Sequence, residues 1–166
     1  MDPGEQLEHP IARELQVLEK KRYDFERPTP THYTLEVAAY WDNDLLDQVE
    51  SGRRRRVTVG AYTAGRRTHL IVELPLDAKR FTLARIRGRT AFITVPEQAQ
   101  VALRTDDGQV SREVTRRPTS APFPAYAVQI GFGDRLAFRV GKLTFVCQFV
   151  RSHGRARHAL DWLMPY

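Results

Sequence analysis

The feature that most constrains this chain is a series of short runs in which apolar and polar residues alternate, each followed by turn-forming residues. In the first run Tyr33, Leu35 and Val37 alternate with more polar neighbours, a period typical of a half-buried strand. The runs cover residues 33–40, 45–49, 56–60, 69–74, 80–86, 91–95, 100–103, 109–114, 125–130, 135–140 and 143–150. Short strands at such intervals predict an all-β sandwich of about eleven strands.

A second pattern precedes the strands. Within residues 1–27 apolar side chains recur at spacings of three and four, which predicts an amphipathic N-terminal helix, and Pro10 suits its first turn because no N–H is needed there. The apolar stripe consists of Leu7, Ile11, Leu15 and Leu18. A lone amphipathic helix is marginal in water, so these four side chains form a candidate helix interface.

Three further segments complete the predicted organisation. Residues 28–32 contain two prolines and read as an extended linker, which lets the helix reach either its own sandwich or a neighbouring chain. We expect the neighbouring chain, which leaves a homo-oligomer open. The sandwich spans 33–151, with a surface loop at 116–126 where three prolines prevent sheet pairing. The tail 152–166 is expected to form a short helix.

Charge is distributed unevenly along the chain. Residues 1–52 hold five basic and twelve acidic side chains, a net charge of −7, whereas residues 53–166 hold twenty-one and eight, a net charge of +13. The candidate partner-binding surface comprises Arg53, Arg54, Arg55, Arg56, Lys79 and Arg80. Because side chains alternate along a strand, we expect at most about two of the four consecutive arginines to face one groove.

Three interpretations of this basic surface stay open. It is a solvated strand edge whose charge discourages aggregation, a surface for an acidic protein or anionic lipid, or a nucleic-acid contact. The sequence lacks the aromatic pairs, helix-turn-helix period and zinc fingers of nucleic-acid-binding folds. We therefore expect diffuse attraction to an acidic partner or lipid surface, and regard nucleic acid as the alternative.

Signatures of catalysis and metal binding are missing from the sequence. It has no Gly-x-Ser-x-Gly or Walker-type loop, and Cys147, His153 and His158 lack the spacing of a zinc site. Cys147 lies in an apolar run and is expected to be a core thiol. We expect no catalytic residues, no metal and no cofactor. Without a basic or apolar leader at residues 1–5, the chain is expected to be cytoplasmic.

Two short motifs are typical of a known domain family. Residues 56–60, Arg-Val-Thr-Val-Gly, and residues 131–138, Gly-Phe-Gly-Asp-Arg-Leu-Ala-Phe, resemble the strand ending in Gly-Arg and the late Gly-Asp turn and strand of forkhead-associated (FHA) domains. Residues 143–150 correspond to the closing strand of such a domain. The resemblance covers residues 33–151 and implies an FHA-like sandwich of eleven strands that contacts protein partners.

The phosphothreonine-binding residues of FHA domains differ here. Ala61 stands where the family has arginine after the strand-ending glycine, and Ala78 and Phe81 stand at the serine and histidine of its Ser-Arg-x-His motif. The asparagine that grips the peptide backbone has its nearest counterpart at the 107–108 turn. The resemblance therefore implies a protein-binding domain whose phosphothreonine pocket is degenerate.

The residues of the first strand and the turn after it resemble a more specific group of proteins. Residues 33–47 are similar to the opening of the FHA-like region in bacterial adventurous gliding-motility proteins, which pair this domain with a transmembrane helix and a periplasmic TonB-like end. Degenerate FHA domains also occur in the inner-membrane rings of type III secretion. The resemblance implies a scaffold in an envelope-spanning complex, cytoplasmic and at the inner membrane. The aromatic end, 162–166, then either leads toward a membrane span or caps the sandwich.

Overall fold

Eleven β-strands in two sheets make up the part of the chain that the structure describes. A computed structural model describes residues 27–61 and 68–153. The strands are β1 (Thr34–Trp41), β2 (Asp44–Glu50), β3 (Arg56–Gly60), β4 (Leu70–Ile71), β5 (Arg80–Arg87), β6 (Thr90–Pro96), β7 (Gln100–Arg104), β8 (Val110–Ser111), β9 (Ala125–Ile130), β10 (Arg135–Val140) and β11 (Leu143–Val150). The predicted all-β class is confirmed. The helix predicted within 1–27, with its stripe, and the tail from 154 onward lie outside the described residues.

The two sheets share one hydrophobic core. One sheet has six strands in the order β2-β1-β11-β10-β7-β8, and the other has five in the order β4-β3-β5-β6-β9. Alternate residues of each strand point inward, as the period of two requires. Leu35, Phe138 and Phe145 from the six-stranded sheet and Leu83 and Ile93 from the five-stranded sheet are all at most 1% exposed and belong to the same core cluster.

Two predicted strands are much shorter than their sequence runs. The run 69–74 yields only β4, whose two residues pair with β3 in parallel, and Pro75, which lacks an N–H, follows closely. The run 109–114 yields only β8. There the Ser111 hydroxyl accepts a hydrogen bond from the Glu113 N–H at 3.1 Å, so the backbone turns instead of continuing the strand.

The proline-rich loop lies against the five-stranded sheet, and the expectation that residues 116–126 do not pair is wrong at two places: Arg117 forms an isolated bridge to Ala127, and β9 already begins at Ala125. The backbone of Arg117 exchanges two hydrogen bonds with Ala127 of β9, at 2.9 and 2.8 Å. Phe123 packs edge-on against Phe81 of β5, with ring centroids 4.9 Å apart. These two attachments hold residues 118–122 close to the outer face of the sheet.

Candidate functional site

The register of β3 against β5 brings basic side chains together on the outer face of the five-stranded sheet. Arg56 lies directly opposite Arg85, and Gly60 directly opposite Arg80. Thr58 lies opposite Thr82 between them. Like charges directly opposite each other destabilise an antiparallel pair. The sheet therefore keeps an electrostatically unfavourable arginine pair on a solvent-facing surface.

The segment before β3 is a turn that adds two more arginines. The Ser51 hydroxyl accepts a hydrogen bond from the Leu35 N–H at 3.0 Å, and Gly52 adopts a φ of 58°, a conformation that glycine reaches at little cost. The Arg54 N–H then bonds the Ser51 carbonyl at 3.0 Å. The Arg55 carbonyl accepts from Ile86 at 2.8 Å, which joins the end of the turn to β5.

These elements line an open groove of about 1140 Å³, which we call the arginine groove. Its basic lining comes from both strands and the turn, and residues 120–122 of the proline-rich loop also line it. The lining residues are Arg54, Arg55, Arg56, Thr58, His69, Arg80, Phe81, Thr82, Arg85, Ser120, Ala121 and Pro122. None of them is acidic. Among the described residues, Arg56, Arg80 and Arg85 form no ion pair, since the salt bridges found there join Arg139 and Lys142 to Asp42.

His69 is the one titratable non-arginine side chain in this lining. Its Nδ1 accepts a hydrogen bond from the Thr58 N–H at 2.9 Å, which places the proton of the neutral ring on Nε2. Partial burial, together with the nearby positive charge of Arg54, lowers the pKa of His69. The lowered pKa favours the neutral ring, whose Nε2–H is a hydrogen-bond donor.

The structure brings together four of the six predicted basic residues. Arg54, Arg55 and Arg56 all line the arginine groove, as does Arg80, whereas Arg53 and Lys79 are not among its lining. The expectation that at most two consecutive arginines share one groove is wrong. Alternation applies only to extended strand, and β3 begins at the last of the four arginines.

Two basic or titratable lining residues were not among the six candidates. Only the cross-strand pairing with Arg56 places Arg85 in the groove, although it follows Arg80 within one strand run. His69 lies next to the short β4, in a stretch that was assigned wholly to a strand. Neither residue belongs to a motif, so spacing along the chain gave no signal that could have found them.

The positions that resemble the FHA phosphothreonine pocket have other roles here. Phe81 is buried in the core, 3% exposed, and contacts Phe123. The Ala61 N–H donates to the Lys79 carbonyl at 3.0 Å. Asp107 lies in the β7–β8 turn of the other sheet, where it accepts hydrogen bonds from Thr105 and Gln109, and the Thr105 bond most strongly lowers its pKa.

Cys147 of β11 belongs to the hydrophobic core. Cys147 is fully buried, as predicted, and burial raises the pKa of its thiol. Within 27–61 and 68–153 no three His, Cys, Asp or Glu side chains are grouped to hold a metal ion. The same stretches contain no helix of the length and hydropathy needed to cross a membrane. Comparison with models of protein families, with curated proteins and with solved structures gave no match.

Proposed function

We propose that this chain is a non-catalytic interaction domain that binds an acidic, extended segment of a partner protein in the arginine groove. The observation that carries the proposal is the opposed pair of Arg56 and Arg85. Both guanidinium groups are exposed and lack a carboxylate partner among the described residues. An acidic ligand between them converts a repulsive pair into two charge-assisted hydrogen bonds.

The lining of the groove is compatible with an extended peptide. Residues 120–122 and the arginines of both strands line the same groove, so a single extended chain bound there contacts both. Thr58 and Thr82 lie between the Arg56–Arg85 pair and Arg80. Their neutral hydroxyl groups both donate and accept hydrogen bonds.

The proposal includes the setting implied by the family resemblance. The two-sheet, eleven-stranded architecture agrees with an FHA-like scaffold. Together with the similarity of residues 33–47 to gliding-motility proteins, it supports a partner within an envelope-spanning bacterial complex at the inner membrane. The replaced residues at 61, 78 and 81 support recognition that does not depend on phosphothreonine.

The test is binding of a short, labelled Glu-rich peptide to the full chain over a salt series. The variant Arg56→Gln/Arg85→Gln removes the opposed pair. The matched control, Arg87→Gln/Arg89→Gln, removes the same charge from exposed residues outside the lining. At about 1 kcal/mol for each lost charged contact, the groove variant should bind roughly thirtyfold more weakly, and the control should bind nearly as the parent does.

The alternatives are measured in the same series. Duplex DNA and vesicles containing phosphatidylserine replace the peptide as probes, and a phosphothreonine version of a neutral peptide is included. Equal losses in both variants, or no binding of the acidic peptide, would contradict the proposal. Tighter binding of DNA or vesicles through Arg56 and Arg85 would replace it with the nucleic-acid or anionic-surface function.

A further inference from the structure

The outer face of the six-stranded sheet contains a row of small side chains that crosses four strands. By register, Ala38 of β1 lies opposite Val146 of β11, which lies opposite Ala137 of β10, which lies opposite Ala102 of β7. We call this row the small-residue trough. Polar side chains, most of them larger, flank it on both sides. One flanking row is Tyr40, Thr144, Arg139 and Gln100, and the other is Glu36, Gln148, Arg135 and Arg104.

This face is buried although it points away from the core. Ala102 and Ala137 are 0% exposed and Val146 is 3% exposed. The only partly buried hydrophobic side chains packed against these three, among the described residues, are Tyr40 and Val110 of the same sheet. Side chains within one sheet do not by themselves bury its outward surface. Another segment must cover the trough.

Polar residues beside the trough give a second, independent indication. The charged side chains of Glu36 and Arg135 are only 6% and 5% exposed. The Thr144 hydroxyl is fully buried and has no hydrogen-bond partner among the described residues. In contrast, Arg56, Arg80 and Arg85 on the outer face of the other sheet are exposed. The Glu36 carboxylate accepts a hydrogen bond from Gln148 Nε2 at 3.3 Å, so it is the low exposure of these charged side chains that indicates a covered face.

We propose that the N-terminal segment of the same chain docks in the small-residue trough as a helix, through Leu7, Ile11, Leu15 and Leu18. This intrachain arrangement replaces the docking on a neighbouring chain expected from the linker. The burial is complete within one chain, so it needs no second copy. Branched side chains of a helix pack closely against a row of alanines because the small residues leave room for them.

The length of the N-terminal segment and the point at which the chain enters the sheet are both compatible with docking in the trough. The chain enters the sheet at Thr34, opposite Val150 at the end of the same face. A helix of about thirteen residues is roughly 20 Å long, and four adjacent strands span about 14 Å. Charge fits as well. Residues 1–26 carry seven acidic and four basic side chains, while the flanking rows of the trough hold three arginines, Arg104, Arg135 and Arg139, against one acidic residue, Glu36.

The experiment measures how fast a maleimide reacts with a cysteine placed in the trough, Ala137→Cys, in the full chain. Gln129→Cys, on the open outer face of the other sheet, is the exposed reference, and Ala102→Cys is a second reporter if the first fails to fold. Each reporter is combined with Ile11→Glu/Leu15→Glu, which places charge on the stripe. Gln6→Glu/Gln16→Glu adds the same charge off the stripe and is the matched control.

Docking in the trough predicts that Ala137→Cys reacts at least about tenfold more slowly than Gln129→Cys, and that the stripe variant alone removes this protection. The rate should not change on dilution. Protection that disappears on dilution would assign the cover to a neighbouring chain. Protection that persists in the stripe variant but is lost in Trp162→Glu/Leu163→Glu would assign it to the C-terminal tail, and either result overturns the proposal.

Discussion

Gly60, at the end of β3, allows β3 and the start of β5 to approach more closely than any side chain permits. A Cβ atom at this position would lie 2.6 Å from the Arg80 Cβ, 2.7 Å from the Lys79 carbonyl oxygen and 3.0 Å from the Arg80 Cα. Carbon atoms prefer separations of about 3.5–4.0 Å. Since two of the three contacted atoms are backbone, the strands themselves must move apart in Gly60→Ala.

The expected cost follows from these contacts. Separating β3 from β5 stretches the hydrogen bond from the Ala61 N–H to the Lys79 carbonyl, 3.0 Å. Overpacking of this kind costs about 1–3 kcal/mol, and the reduced entropy of the unfolded chain returns about 0.4–1 kcal/mol. The difference lies between about 0 and 2.6 kcal/mol, and since the contacts at 2.6 and 2.7 Å are severe, we expect Gly60→Ala to lower the free energy of unfolding by an amount in the upper half of this range.

Urea unfolding of the full chain measures this effect, and Gly131→Ala is the matched control. A Cβ at Gly131 would meet only Asp134 Oδ2 at 3.9 Å and the Arg89 carbonyl at 4.0 Å, both ordinary contacts. That control should be neutral or stabilise the protein by about 0.5 kcal/mol. If the two variants unfold at the same urea concentration, the argument that β3 and β5 need a glycine at their contact is refuted.

Two further predictions concern single side chains. Because the fold lowers the pKa of His69, its stabilising contribution is complete above the unfolded pKa of about 6.5 and declines as the pH falls below that value. The urea midpoint should therefore fall less on acidification in His69→Gln than in the parent, and equal falls would contradict this assignment. Cys147, fully buried and with a raised pKa, should react with maleimide only on unfolding, and rapid labelling of the native protein would show that its strand opens.

The strands could be predicted from the sequence because their pattern is local. A period of two between turn residues identified every strand region. The predicted lengths of β4 and β8 were too great because Pro75 and the Ser111–Glu113 hydrogen bond interrupt those runs. Only part of the lining of the arginine groove could be predicted from the sequence. The run 53–56 is visible by inspection, but the opposition of Arg56 and Arg85 depends on a register between strands that are far apart in sequence.

The two outer faces of the sandwich raise the question of where an acidic N-terminal segment is better accommodated. The negative charge of the segment by itself favours the arginine groove, which is lined by five arginines and by no acidic residue. The apolar stripe of the segment, however, favours the small-residue trough. The lining of the groove is mostly polar, whereas the trough consists of Ala38, Val146, Ala137 and Ala102. Burying four aliphatic side chains at about 1.5–3 kcal/mol each outweighs exposed ion pairs of at most about 1 kcal/mol each. The trough is thus the better site for the segment, and the arginine groove is left open to a partner.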